Sequence, residues 1–224
     1  MSSYYSRKLS AERLKQVYDL ATPRIKQYLE SELSHVLEKI RPGDLVLELG
    51  CGYGRILPTL AAQAKWVAAI DVSRSSLHFA AVSLRSISNL SLCRMDAANL
   101  GFRDHSVDCV VCIQNGISAF HVNPRVLIFE SVRVTRRGGH ILLSTYSKKF
   151  WKERLEWFEL QSRAGLVGEI DYEATKDGLI ACKDGFTATT LGPEDFSRLT
   201  KGIDASVEIE EIDGSSLFCE IERN

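Results

Sequence analysis

The sequence predicts an α/β fold, a mostly parallel sheet between two layers of helices, on three observations. Short apolar runs alternate with helical segments between Leu45 and Thr145. The first of those runs leads straight into Gly50-Cys51-Gly52-Tyr53-Gly54 and a helix opening, so a buried strand must turn sharply and expose its backbone. Near the end, two alternating runs (203–212 and 216–222) flank Asp213-Gly214, a hairpin turn that adds an antiparallel pair.

Each element has a local reason. Ser10 is placed to cap a helix over 11–20, and Thr22 with Pro23 at the first helical position opens a second helix to about Ile40. Arg41-Pro42-Gly43 stops it. Leu45–Leu49 is the first strand, and residues 56–62 open the helix behind the glycines. The second strand, 66–70, closes on Asp71, and Ser73 caps a helix to about Leu84. Leu90–Arg94, 107–113 and 140–145 are the next strands, the last preceded by a helix that Asn123-Pro124 opens and an Arg137-Gly138-Gly139 turn. A helix over 148–163 then gives way to runs at 169–174, 179–182 and 186–190, joined by Asp177-Gly178 and Asp184-Gly185 turns that predict hairpins. A brief helix at 193–200 precedes the final hairpin. The chain reads as one domain over 1–224, with a helical cap at 1–40 and a β-hairpin insert at 165–192.

With 224 residues, 45% hydrophobic and 25% charged, the chain is long enough for one well-filled α/β core. Its net charge of −1 and pI near 6.5 supply no field to gather nucleic acid or an anionic membrane, which disfavours both as partners. No apolar run approaches the ~18 residues of a membrane span, and the start lacks the apolar stretch of a signal peptide, so the expected location is cytoplasmic. Cys109 and Cys112 form a C-x-x-C inside a strand, where positions three apart face opposite sides and cannot share a metal. The other cysteines are scattered, so neither a metal nor a disulfide is expected.

The glycine spacing narrows the ligand. Strand, glycine loop and helix N-terminus make a nucleotide-type site, but Arg55 stands where a dinucleotide fingerprint needs its last glycine. No Lys-Ser or Lys-Thr follows, which excludes a phosphate-cradling P-loop. Glu48, inside the strand, suits a ligand with a cationic or hydroxyl-bearing group. The pattern Glu48-x-Gly50-x-Gly52-x-Gly54 resembles the first motif of class I S-adenosylmethionine-dependent methyltransferases. That resemblance implies a Rossmann-like three-layer sandwich: a mostly parallel seven-stranded sheet with an antiparallel C-terminal hairpin, here carrying a small hairpin insert. It implies S-adenosyl-L-methionine as cofactor and S-adenosyl-L-homocysteine as product.

Carried onto this sequence, the resemblance assigns Glu48, Gly50, Cys51, Gly52, Gly54 and Arg55 to the cofactor loop. Asp71, with Val72 beside it, falls at the spacing where an acid meets ribose hydroxyls; a helix-flanking Asp is the plainer alternative. Asp96 resembles the acid that accepts from the adenine amino group, with Met95 and Ala97 flanking the ring, and Gln114 would face the methionine moiety. Asn115-Gly116 departs from the Asn/Asp-Pro-Pro-Tyr of families that methylate exocyclic amino groups, which counts against a nucleobase amine. Asn115 and His121 are the catalytic candidates, one as an orienting group and one as a base near neutral pH, against a plain turn and a surface histidine. Tyr4, Tyr5, Tyr146 and Tyr172 are substrate-site candidates; Tyr4 and Tyr5 either close over the site or pack the first helix.

Methyl transfer from a sulfonium is an in-line displacement that alignment alone accelerates, so no metal is called for. The reading is a methyltransferase acting on a small-molecule acceptor. A methyltransferase for RNA or protein, or a non-catalytic S-adenosylmethionine-binding protein, would use the same cofactor residues. Arg133, Arg136 and Arg137 do cluster, but at a helix C-terminus where the dipole accounts for them. Either a monomer or a homodimer is compatible with this reading.

Overall fold

The computed structural model describes Tyr4 and residues 8–224; Tyr5 lies outside the described residues. Strands β1 (Leu45–Leu49), β2 (Trp66–Asp71), β3 (Leu90–Arg94), β4 (Val107–Cys112), β5 (Thr135–Tyr146), β8 (Ala205–Ile212) and β9 (Ser216–Arg223) form one seven-stranded sheet. Its order is β3-β2-β1-β4-β5-β9-β8. The first five run parallel, while β9 enters antiparallel beside β5 and β8 pairs antiparallel with β9. Strand order reverses between β1 and β4, and the crevice at such a switch point is where open α/β sheets bind ligands. A separate two-stranded ribbon, β6 (Ile180–Ala181) with β7 (Thr187–Ala188), belongs to the insert.

The helices are α1 (Glu12–Asp19), α2 (Pro23–Lys39), α3 (Leu57–Gln63), α4 (Arg74–Ser83), α5 (Gly116–Ala119), α6 (Pro124–Val134), α7 (Trp151–Arg163) and α8 (Pro193–Leu199). Expected caps are in place: Thr22 accepts from Ile25 N–H, Ser73 from Ser76 N–H, and Asn123 from Arg125 N–H. Alternation along β4 sends Cys109 and Val111 to the layer of α2 and α3, and Val110 and Cys112 to the layer of α6 and α8. Both faces of the strand are buried, which is why it reads as an apolar run broken only by Asp108.

Three local expectations are corrected. Ser10 does not cap α1: Ala11 takes the N-cap position at φ 52°, and its N–H donates to Ser76 Oγ at 3.0 Å, docking the helix start on α4. Strand β5 begins at Thr135, because the Arg137-Gly138-Gly139 turn is absorbed as a bulge between the Val107–Thr135 and Cys109–His140 pairings. Run 169–174 forms no strand and touches the ribbon through one bridge, Ile170 to Cys182.

A third cluster joins segments that the sequence keeps apart. Val17 of α1, Ile25 and Tyr28 of α2, Tyr146 at the end of β5, Trp157 and Phe158 of α7 and Phe186 of the insert pack together. Trp157 Nε1–H donates to the Val17 carbonyl at 3.1 Å, and Arg154 donates to the Gly178 and Ala188 carbonyls at 2.7 and 2.8 Å. Helix α7 is thereby the common support of the N-terminal helices and the insert.

Candidate active site at the carboxyl ends of β1, β2 and β4

The glycine loop is built by three backbone facts. Gly50 and Cys51 N–H groups both donate to the Ile70 carbonyl, at 2.8 and 2.9 Å, which ties the loop to the end of β2. Gly50 sits at φ +74°, and a methyl there would collide with the ring of Phe120. Gly54 does not line the cleft; a side chain in its place would meet Leu84, Leu57 and Ala80, so its smallness lets α4 approach the loop.

Asp71 stitches this loop to the next helix. Its Oδ2 accepts from Gly52 N–H at 2.8 Å and its Oδ1 from Ser73 N–H at 2.7 Å. Burial raises its carboxyl above the usual range, and the backbone N–H groups of Ser73, Gly52 and Val72 act in the opposite direction. The carboxylate lines the cleft and has acceptor capacity beyond these backbone bonds. Asp96 is exposed at the other end, its Oδ1 accepting from Ala98 N–H at 2.9 Å in an Asx turn between half-buried Met95 and buried Ala97.

The end of β4 is conformationally unusual. Gln114 and Asn115 are consecutive left-handed residues, at φ 56° and 63°, which costs free energy unless the surroundings impose it. They are imposed here by Glu32, a fully buried acid on α2. Its Oε2 and Ser144 Oγ accept from Gln114 N–H at 3.1 and 2.9 Å, while its Oε1 accepts from Ser144 and Ser216 hydroxyls at 2.6 and 2.9 Å. Burial pushes the Glu32 carboxyl up to about 7 against those hydrogen bonds. Asn115 is equally committed: its Oδ1 accepts from Thr145 and its Nδ2 donates to the Thr189 carbonyl.

Around the loop lies a cleft of about 1780 Å³. It brings together Glu48, Gly50, Cys51, Gly52, Arg55, Asp71, Val72, Met95, Asp96, Ala97 and Gln114, as well as Tyr4, Tyr146 and, at an exposed rim, His121. Asn115 and Tyr172 are not among its lining residues; Tyr172 is 65% exposed and its hydroxyl donates to Glu159. Residues that the sequence reading missed complete the walls. Tyr18 of α1 donates its hydroxyl to Gln114 Oε1 at 2.8 Å and lies under the Arg55 guanidinium, 5.0 Å from ring centre. Trp157, Phe158 and Gln161 of α7 form the far side. Glu32 had a visible signal, an acid on the apolar stripe Ile25, Tyr28, Leu29, Val36; Tyr18 and Gln161 had none.

Four buried polar atoms at the cleft have no partner among the described residues: Gln161 Nε2 on the far side and, at the glycine-loop end, Glu48 Oε2, Arg55 Nη2 and Gln114 Nε2. At that end, an acceptor and two donors, one cationic, match in type the ammonium and carboxylate of an amino acid. Burial pushes the Glu48 carboxyl up to about 8, with Arg55 opposing and Asp71 adding to the shift. Away from the cleft, His35, Glu210 and Glu220 bring ligand-type atoms within 4.8 Å of one another, but Glu220 is ion-paired with His35 and with Lys39. Among the described residues, no helix is long and apolar enough to cross a membrane.

Sheet order, glycine loop and switch-point cleft define a Rossmann-like nucleotide-cofactor protein. Residues 46–139 match the family model of a methyltransferase domain. The chain is 30% identical over 179 residues to a malonyl-[acyl-carrier protein] O-methyltransferase of Erwinia pyrifoliae, a match covering 76% of this chain and 66%, just under two thirds, of that relative. A SAM-dependent methyltransferase from Methanosarcina mazei shares the fold with a TM-score of 0.61 at 17% identity, over 84% of this chain and 96% of that one. A Pyrococcus horikoshii OT3 protein does so with a TM-score of 0.66 at 20% identity, over 92% and 94%. The chain thus carries a methyltransferase domain over residues 46–139, in the fold of S-adenosylmethionine-dependent methyltransferases.

Proposed function

We propose that this methyltransferase acts on a small-molecule acceptor, by in-line displacement in the half of the cleft walled by α1, α7 and the insert. The observation that carries this is the closure of that half. Tyr4 Oη and Lys8 Nζ both meet Asp184 Oδ2, at 2.7 and 3.0 Å, joining the N-terminal segment to the insert across the opening. A bounded pocket suits a compact acceptor, and among the described residues neither wall carries the basic stripe that a polynucleotide needs.

On the cofactor side, Glu48 faces the methionine ammonium, and Arg55 with Gln114 faces its carboxylate. Asp71 accepts from the ribose, and Met95, Asp96 and Ala97 border the adenine. When bound, S-adenosylmethionine supplies a methyl group on a sulfonium, and its transfer leaves a neutral thioether. The protein's part is then alignment and exclusion of water, the contribution expected of Gln114, Tyr18 and Trp157. Asn115 serves as the strut that holds the β4 loop against β5 and the insert. His121, at the rim, is placed for proton transfer only if the acceptor arrives protonated.

The Erwinia relative favours a second reading, a carboxylate acceptor presented on a carrier. A carboxylate is ionised at neutral pH and needs no base, in keeping with an exposed His121. Radiolabelled methyl transfer to a metabolite panel, to malonyl-carrier protein, and to total RNA and protein tests both. Label in metabolites supports the first, label in the carrier-bound acid the second, and label in RNA alone overturns both.

A further inference from the structure

The acceptor half of the cleft contains one polar group that neither the cofactor nor the fold uses. Gln161, on α7, is 1% exposed, lines the cleft, and its Nε2 has no hydrogen-bond partner among the described residues. An amide donor buried in this way costs ~1–3 kcal/mol unless something accepts from it, so its presence there asks for a ligand atom. Buried apolar side chains line the same half of the cleft: Leu9, Val17, Trp157 and Phe158.

Charge narrows what that atom is. Among the described lining residues of this half the cation is Lys8, exposed at the opening in its ion pair with Asp184, while Arg154, buried against Phe158 and Tyr146, donates to the Gly178 and Ala188 carbonyls. Arg55 belongs to the glycine loop, stacked on Tyr18. A carboxylate beside Gln161 Nε2 would be buried without a counter-ion among the described lining residues, and an ammonium there would meet the Nε2 donor; a neutral carbonyl or ether oxygen is matched. Spacing sets the reach. Trp157 touches Tyr18, the residue on Gln114, with ring centres 5.9 Å apart, and Gln161 lies one helical turn further along α7. The oxygen therefore lies roughly 5 Å beyond the wall that borders the reacting end.

We infer that the acceptor is a compact apolar molecule bearing a neutral carbonyl-type oxygen, which Gln161 binds and which sets the distance to the methylated atom. This rests on the small-molecule methyltransferase reading above. It applies equally to a carboxylate acceptor whose carboxylate sits at the reacting end, provided the second oxygen is uncharged.

The test uses the full chain saturated with S-adenosylhomocysteine and three six-carbon probes, hexanamide, hexanoate and hexylamine, with binding followed by calorimetry and ligand-observed NMR. Hexanamide is expected to bind about tenfold more tightly than hexylamine, with hexanoate between them. In Gln161→Leu that preference is expected to disappear, and in Gln161→Glu, which exchanges a donor for an acceptor in the same shape, hexylamine is expected to bind best. S-adenosylhomocysteine affinity in each variant reports whether the fold and cofactor site are intact. Equal binding of the three probes to the wild-type chain, or a ranking unmoved by Gln161→Glu, overturns the inference alone. Failure of S-adenosylhomocysteine to bind the wild-type chain overturns the methyltransferase reading and this inference with it.

Discussion

If the Glu48 carboxylate receives the methionine ammonium, cofactor affinity must depend on pH in a way set by its burial. Without a ligand the group titrates at about 8, because burial disfavours its charged form. Beside an ammonium it must ionise, so binding at neutral pH expels a proton. With an unliganded value of about 8, the fraction ready to bind is 1/(1 + 10^(8−pH)), and affinity rises about ninefold from pH 6 to pH 7, ~1.3 kcal/mol. At pH 7 about 0.9 proton leaves per ligand bound. Titration of S-adenosylhomocysteine by calorimetry in two buffers of different ionisation enthalpy measures both quantities. In Glu48→Gln the slope and the proton release should vanish. Glu32, which burial moves to about 7, keeps its hydrogen bonds from Ser144, Ser216 and Gln114 on either side of the equilibrium and should contribute little. A flat wild-type profile between pH 6 and 7, or a slope that survives in Glu48→Gln, refutes the reasoning. The sign for stability is opposite. Because the folded value is raised above the ordinary 4.5, the stabilisation from the neutral group is complete below that value and lost as pH rises through about 8. The unliganded chain should thus melt at a lower temperature at pH 9 than at pH 6, and the difference should shrink in Glu48→Gln.

Three further outcomes follow from named contacts. Asp71→Ala leaves Gly52 and Ser73 N–H groups without their acceptor, so S-adenosylhomocysteine affinity should fall at least about tenfold, with wild-type affinity contradicting the assignment. Gly50→Ala places a methyl in the Phe120 ring at a left-handed backbone position and should destabilise the fold by ~1–3 kcal/mol in urea; an unshifted midpoint would show that the loop is not so confined. Tyr18→Phe removes the hydroxyl that holds Gln114 Oε1 and should weaken ligand retention by ~1 kcal/mol, read as a faster dissociation rate by stopped flow.

The architecture was largely legible because its signals are local. Helix caps at Thr22, Ser73 and Asn123, alternation in β4 and the Asp213-Gly214 turn each act within a few residues. Ser10 failed as a cap because a distant partner competed: Ala11 N–H found Ser76. The expected start of β5 failed because a bulge, set by pairing with β4, absorbed the turn. Tyr172 reads as a pocket aromatic from its place in the insert, yet pairing within the insert turns it out to Glu159.

The glycine-loop end of the cleft lay in the sequence itself. Glu48, the glycines, Asp71 and Asp96 sit at successive strand ends, and parallel β1, β2 and β3 must bring successive strand ends to one edge. No such rule governs the acceptor half. Tyr18 meets Gln114 across 96 residues, and Trp157 meets Val17 across 140. Those meetings depend on how α1 and α7 pack with the insert, an outcome of apolar burial without directional signature in the chain. The sequence determined the glycine-loop end of the cleft, since strand order and backbone geometry encode it; only the tertiary structure decided the shape of the other half and left Gln161 Nε2 there without a partner among the described residues.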